Sequence, residues 1–226
     1  MERIRSPMVI VNFKTYNEST GKNALKLAKI AEKVAKLTGV SICIAPQYTD
    51  LAEIAHSVNI PVLAQHVDPI GFGAHTGQIL PEAVKDAGAA GTLINHSERS
   101  LHLKSIETII DRVKTLGIVS VVCSDTPKTA ASVAYLRPDI VSVEPPDLIG
   151  TGISVSKARP EEVLETISLV RKVDAAAIIL CGAGITTGMD ADAALKLGAN
   201  GVLLASGVVK AQNPESALFE IAQAMK

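Results

Sequence analysis

The segment VSVEPPDLIGTG, residues 141–152, begins as a buried strand and then stops behaving like one. Ile140, Val141 and Val143 form an apolar run, Glu144 ends it, and Pro145, Pro146, Gly150 and Gly152 follow. A carboxylate at the end of an apolar strand is desolvated, and desolvation favours its taking a proton. The same plan, a short apolar run closed by polar residues or glycine, recurs along the chain.

Eight such runs are legible: MVIVNF from Met8, VSICIA from Val40, PVLAQ from Pro61, AGTLIN from Ala90, IVSVVCS from Ile118, DIVSVE from Asp139, AIILCG from Ala177 and NGVLLAS from Asn200. Nearly continuous hydrophobicity marks strands covered on both faces, which is the habit of a parallel sheet. Stretches with helical periodicity separate them, over 20–39 and near 49–58, 81–87, 103–116, 126–135, 160–173, 188–198 and 214–225. In the first, Thr20 is placed to cap the start and Gly39 the end, with Leu25, Ala28, Ala31 and Ala35 on one face. Gly88, Gly117 and Gly198 close others.

Eight βα units in 226 residues allow about 28 residues each, close to the minimum for a closed eight-stranded barrel. The pattern therefore predicts a single (β/α)8 barrel domain over 1–226 with compact outer helices. A doubly wound open sheet would usually carry a Gly-rich turn after its first strand, and NFKTYNESTG has none.

Composition narrows the partners. The chain is 47% hydrophobic but only 3% aromatic and has no Trp, so its core is built from Ala, Val, Ile and Leu. The 22 Lys and Arg balance 23 Asp and Glu, which leaves no basic field for nucleic acid and points to a small-molecule partner. Cys43, Cys123 and Cys181 lie in or beside apolar strands without metal-type spacing and read as reduced core thiols. The charged start MERIRSP lacks the apolar stretch of a signal peptide, and no run of about 18 apolar residues follows anywhere, so a soluble cytoplasmic protein with no membrane partner is expected.

Active sites of such barrels lie at the C-terminal ends of the strands. Those ends carry Asn12, Phe13 and Lys14; Gln65 and His66; Asn95, His96, Ser97 and Glu98; Glu144; Gly182 to Gly184; and Ala205, Ser206 and Gly207. Lys14 reads either as an exposed lysine or as a cation fixed at the barrel mouth, and its position favours the second. His96 reads as a core or cap histidine, or as a neutral donor held so by the helix start that follows it. Glu98 reads as structural, near Lys14 or at that helix start. Backbone N–H groups at Gly184, Ala205 and Ser206 are placed to converge on a phosphate. His66, Asp68 and His75 have metal-ligating chemistry but a spacing that fits no site, so no metal is expected, and His56 and His102 read as helix surface.

The ordered motifs NFK, NHSE, VEP followed by IGTG, and LLASG, one per expected strand, resemble those of the triosephosphate isomerase family. The likeness covers nearly the whole chain and is greatest to the short archaeal branch. It implies a TIM barrel that interconverts dihydroxyacetone phosphate and D-glyceraldehyde 3-phosphate with no cofactor. By resemblance, Glu144 is the base, His96 the neutral electrophile, and Lys14, positioned by Asn12, the electrostatic stabiliser. Phe13, Ile149, Gly150, Gly184, Ala205 and Ser206 would bind substrate or its phosphate, under a lid over 145–152. Pro145 and Pro146 would stiffen one hinge of that lid, while Gly150 and Gly152 free the other. The loop HVDPIGFGAHTGQILPE would project into a neighbouring subunit, with Thr76 bracing the partner's lysine, so a homo-oligomer is implied, tetramer over dimer. Two departures touch that loop: AQH stands for AQN at His66, and GAHTGQ for GAFTGE at His75 and Gln78. An isomerase or lyase for a larger phosphosugar, and a phosphate-binding barrel without turnover, are the competing readings.

Overall fold

In the computed structural model residues 4–226 are described, so the first three residues of the charged N-terminal segment lie outside the described residues. The strands are β1 (Met8–Asn12), β2 (Ser41–Ala45), β3 (Leu63–Ala64), β4 (Gly91–Ile94), β5 (Val119–Ser124), β6 (Ile140–Val143), β7 (Ile178–Gly182) and β8 (Gly201–Leu204). All ladders are parallel, in the order β2-β1-β8-β7-β6-β5-β4-β3. A parallel bridge between Ile44 and Val62 joins the two ends of that order and closes the ring.

Parallel neighbours require crossovers, and helices supply them. They are α1 (Lys22–Thr38), α2 (Tyr48–Ser57), α3 (Pro81–Asp86), α4 (Leu103–Leu116), α5 (Pro127–Ala134), α6 (Val155–Ala158), α7 (Pro160–Val173), α8 (Gly188–Lys196), α9 (Ser206–Val209) and α10 (Pro214–Gln223). Eight of these are the expected helices, seven of them crossovers between strands and the last, α10, following β8. The one-turn helices α6 and α9 are additions, too short to show a period in sequence. Gly39 and Gly117 cap α1 and α4 in the left-handed region, as their positions predict.

The barrel divides its apolar residues between two cores by the period-2 alternation of each strand. Met8, Ile10, Cys43, Leu63, Leu93, Val121, Ile140, Leu180 and Leu203 form one cluster drawn from all eight strands, which is the barrel interior. Their alternates, such as Val9, Val11, Ile42, Val122, Val141 and Val202, pack outward against the helices in a larger cluster. Leu180 is wholly buried inside. Leu180→Ala is expected to cost about 3 kcal/mol, transfer plus cavity, read as a lowered urea midpoint at unchanged slope.

Three expectations change in detail. Thr20 does not cap α1: Gly21 is the N-cap, its N–H donates to Asp50 Oδ2 (2.9 Å), and the Thr20 hydroxyl donates to Tyr16 O instead. Leu25 is only half-buried, because the inward stripe of α1 runs through Ala24, Leu27, Ala28, Ala31, Val34 and Ala35. β3 is only Leu63–Ala64: Val62 keeps an isolated parallel bridge to Ile44, and Gln65 lies just past the ladder with its side chain donating to the Lys14 and Ala45 carbonyls.

The cysteines are free and buried, and burial pushes the Cys43 and Cys181 thiols up to about 12. Among the described residues no helix is long and apolar enough to cross a membrane.

Candidate active site

Strand ends meet at one mouth of the barrel. Lys14, His96, Glu144, Gly184, Ala205 and Ser206 line a single pocket, with Ile149 and Gly150 of the segment after β6 covering it.

Lys14 lies just past β1 with a φ of 48°, a left-handed conformation that a lysine rarely adopts. Two side chains hold it there. Asn12 Oδ1 accepts from the Lys14 N–H (3.0 Å), and Gln65 Nε2 donates to the Lys14 carbonyl (3.0 Å) and to that of Ala45 (3.0 Å). Strain of this kind persists where its surroundings over-determine it. The result is a buried lysine whose Nζ reaches the pocket and donates to Glu98 Oε1 (2.9 Å). Phe13 beside it is fully buried in the outer core and is not part of the pocket lining.

His96 follows β4. Alternation from Leu93 would turn Asn95 over the barrel interior, but Asn95 adopts φ 60°, a conformation Asn tolerates, and the chain turns there. Its side chain fastens the turn, donating to Cys123 O (2.9 Å) and accepting from Leu101 N (2.8 Å). His96, 6% exposed, then lines the pocket. Its Nδ1 accepts the Glu98 N–H (3.2 Å) at the 3-10 turn Ser97–Arg99. A ring nitrogen that accepts carries no proton, so the ring N–H sits on Nε2. Nε2 is buried, has no hydrogen-bond partner among the described residues, and stands 3.7 Å from Glu144 Oε2.

Glu144 is 5% exposed. Ser142, two residues earlier on the same inward face, donates its hydroxyl to Oε1 (3.3 Å). Gly182, at the end of β7, makes room for it: a Cβ there would fall 2.3 Å from Glu144 Cγ. Gly182→Ala is therefore expected to displace the carboxylate and lower turnover by about 10²-fold, with the fold retained, read by kcat beside a circular dichroism melt. Burial, and then the adjacent Glu144, push the Cys123 thiol well above its ordinary value.

The opposite wall is backbone. Gly184, at φ 69°, approaches the chain so closely that a Cβ would lie 1.9 Å from Ile153 O. The N–H groups of Gly150, Gly184, Ala205 and Ser206 donate to no acceptor among the described residues, and all four residues line the pocket. Orphan donors gathered on a concave surface suit an oxyanion. The cover begins with the 3-10 turn Pro146–Leu148 and continues through Gly150 and Gly152, both at positive φ. Asp147 near its start is ion-paired to Arg159.

The third-strand loop lies elsewhere. Thr76 is exposed on it, as are His75 and Gln78, and Phe72 is 77% exposed. Asp68 clasps the loop, its Oδ2 accepting from Ile79 N (2.6 Å) and Oδ1 from His66 Nε2 (3.0 Å) and Arg99 (3.3 Å). Burial works against the Asp68 anion, but these donors hold its carboxyl below the ordinary value. Burial lowers the His66 imidazole in turn. His56 and His102 are exposed at α2 and at the start of α4. Among the described residues no three His, Cys, Asp or Glu side chains are grouped to hold a metal.

Gln65 and Gly182 belong to this architecture although their roles are not read from the sequence alone. Both close strands, which is the only signal available there. Tyr16 and Thr186 also line the pocket from loops without such a marker.

Known proteins share this sequence over nearly its whole length. The family model for triosephosphate isomerase matches residues 7–225. The chain is 55% identical to the triosephosphate isomerase of Methanobacterium bryantii, over 96% of either chain. It is 54% identical to that of Methanocaldococcus jannaschii, over 95% of this chain and 98% of the relative. With that of Archaeoglobus fulgidus the identity is 52%, over 95% and 96%. A match across nearly the whole barrel, at such identity, shows that the chain belongs to the triosephosphate isomerase family.

Proposed function

We infer that the chain interconverts dihydroxyacetone phosphate and D-glyceraldehyde 3-phosphate through an enediolate, as a cofactor-independent isomerase of glycolysis and gluconeogenesis. The observation that carries the roles is the meeting of Glu144, the unpartnered Nε2–H of His96 and Lys14 Nζ in one pocket with a wall of free N–H groups.

Glu144 takes the proton from the carbon beside the carbonyl and returns it to the neighbouring carbon. Nε2–H of His96 donates to the substrate oxygens, where negative charge develops. Lys14, held by Asn12, stabilises that charge. A carboxylate base paired with a neutral imidazole is the known pattern of this family. Gly184, Ala205 and Ser206 receive the phosphate, joined by Gly150 and Ile149 from the cover. Closure over 145–152 excludes water and keeps the enediolate from expelling its phosphate.

The barrel acts as one domain in the cytoplasm, as a homo-oligomer and a tetramer rather than a dimer. The clasped loop with exposed Phe72 and Thr76 supports an insertion into a neighbouring copy, where Thr76 braces that copy's lysine. Sedimentation velocity distinguishes the two assemblies. The reaction is tested with purified protein and D-glyceraldehyde 3-phosphate, following dihydroxyacetone phosphate with a coupled dehydrogenase. Well-folded protein that binds inorganic phosphate without turnover would replace this function with simple phosphate binding.

A further inference from the structure

A buried negative charge lies behind the wall assigned to the phosphate. Asp190, in the first turn of α8, is 3% exposed. Its Oδ2 accepts from the backbone N–H groups of Thr186 (3.1 Å) and Thr187 (2.9 Å) and from their hydroxyls (3.2 and 2.9 Å). Its Oδ1 is 2.8 Å from Lys157 Nζ. Its carbonyl accepts from Ser156 Oγ (3.0 Å), which in turn lies 2.6 Å from Ser154 Oγ.

A helix cap accounts for only part of this. Thr187 and Asp190 form a reciprocal capping box, sufficient to satisfy the start of α8. The bonds to Thr186, Lys157 and Ser156 are additional, and they join the pocket wall to the segment that follows the cover. Thr186 lines the pocket beside Gly184. Ser154 to Lys157 follow directly on the cover, and Val155 N donates to Ala183 O (3.3 Å) in the same seam. The closeness of Gly184 to Ile153 completes the contact.

We propose that Asp190 is a positioning residue for the phosphate end of the substrate. It fixes the Thr186–Thr187 turn so that the Gly184 N–H stays directed into the pocket, and it fastens that turn to the stem of the cover. Lys157 is the necessary counterpart. A carboxylate behind a dianion site repels the ligand unless a cation offsets it, and Lys157 supplies that cation from a half-exposed position. The proposal rests on the phosphate-ester isomerase reading above.

Turnover by the wild type is established first, since its absence would strike that reading and not this one. Asp190→Asn and Lys157→Met are then compared by KM, kcat and the inhibition constant of inorganic phosphate. Each variant is expected to raise KM and the phosphate inhibition constant about tenfold while kcat changes by less than about threefold. Because both act through one ion pair, the double variant should be less impaired than the product of the single losses. Lys157→Met, at the exposed end of the pair, keeps the test open if Asp190→Asn folds poorly. A loss of melting temperature with phosphate inhibition constants within about twofold of wild type would reduce Asp190 to a helix cap. Losses that multiply independently would overturn the link between the two residues.

Discussion

Glu144→Gln is expected to lower kcat roughly 10⁴-fold, at the upper end of general-base effects, while KM moves by less than about threefold. The variant keeps the shape of the side chain in the space left by Gly182 and removes only its capacity to take a proton. The coupled assay reads turnover, and exchange of the substrate carbon-bound proton with deuterated solvent, followed by NMR, reads the proton step itself. A variant retaining more than a tenth of wild-type kcat would remove Glu144 from its role. Glu144→Asp should be milder but still act mainly on kcat, since withdrawing the carboxylate by one methylene disturbs a near-attack geometry.

Lys14→Met should lower kcat/KM about 10³-fold with little change in stability. The lysine is buried, yet its ion-pair partner Glu98 is 61% exposed, so removing the cation leaves that partner in solvent. The pair itself contributes at most about 1 kcal/mol, as partly exposed pairs do. Steady-state kinetics beside a urea melt separates the two effects. Lys14→Arg should not rescue, because a planar guanidinium cannot occupy the position of a point ammonium set by a left-handed backbone. Near-normal turnover in Lys14→Met would leave Lys14 without a role in the reaction.

The architecture was largely legible before the structure because parallel strands buried on both faces leave a continuous apolar signature. Ile140 to Val143 and Ile178 to Gly182 are read directly from it. β3 is shorter than its apolar run, and the partners of the Gln65 side chain beyond it, Lys14 and Ala45, lie 51 and 20 residues away in sequence. The cap of α1 falls on Gly21 and not on Thr20 because Asp50, 29 residues distant, holds Gly21.

Amino-acid order by itself determined the number of βα units and the residue types gathered at the barrel mouth, because these follow from local periods of burial. Tertiary structure decided the aim of those residues. Left-handed turns at Lys14 and Asn95, the absent Cβ at Gly182, and the Asp190 seam joining α6 to the loop after β7 each require chain segments far apart in sequence to meet. A local pattern carries no record of such meetings, since the contacts exist only once the ring has closed.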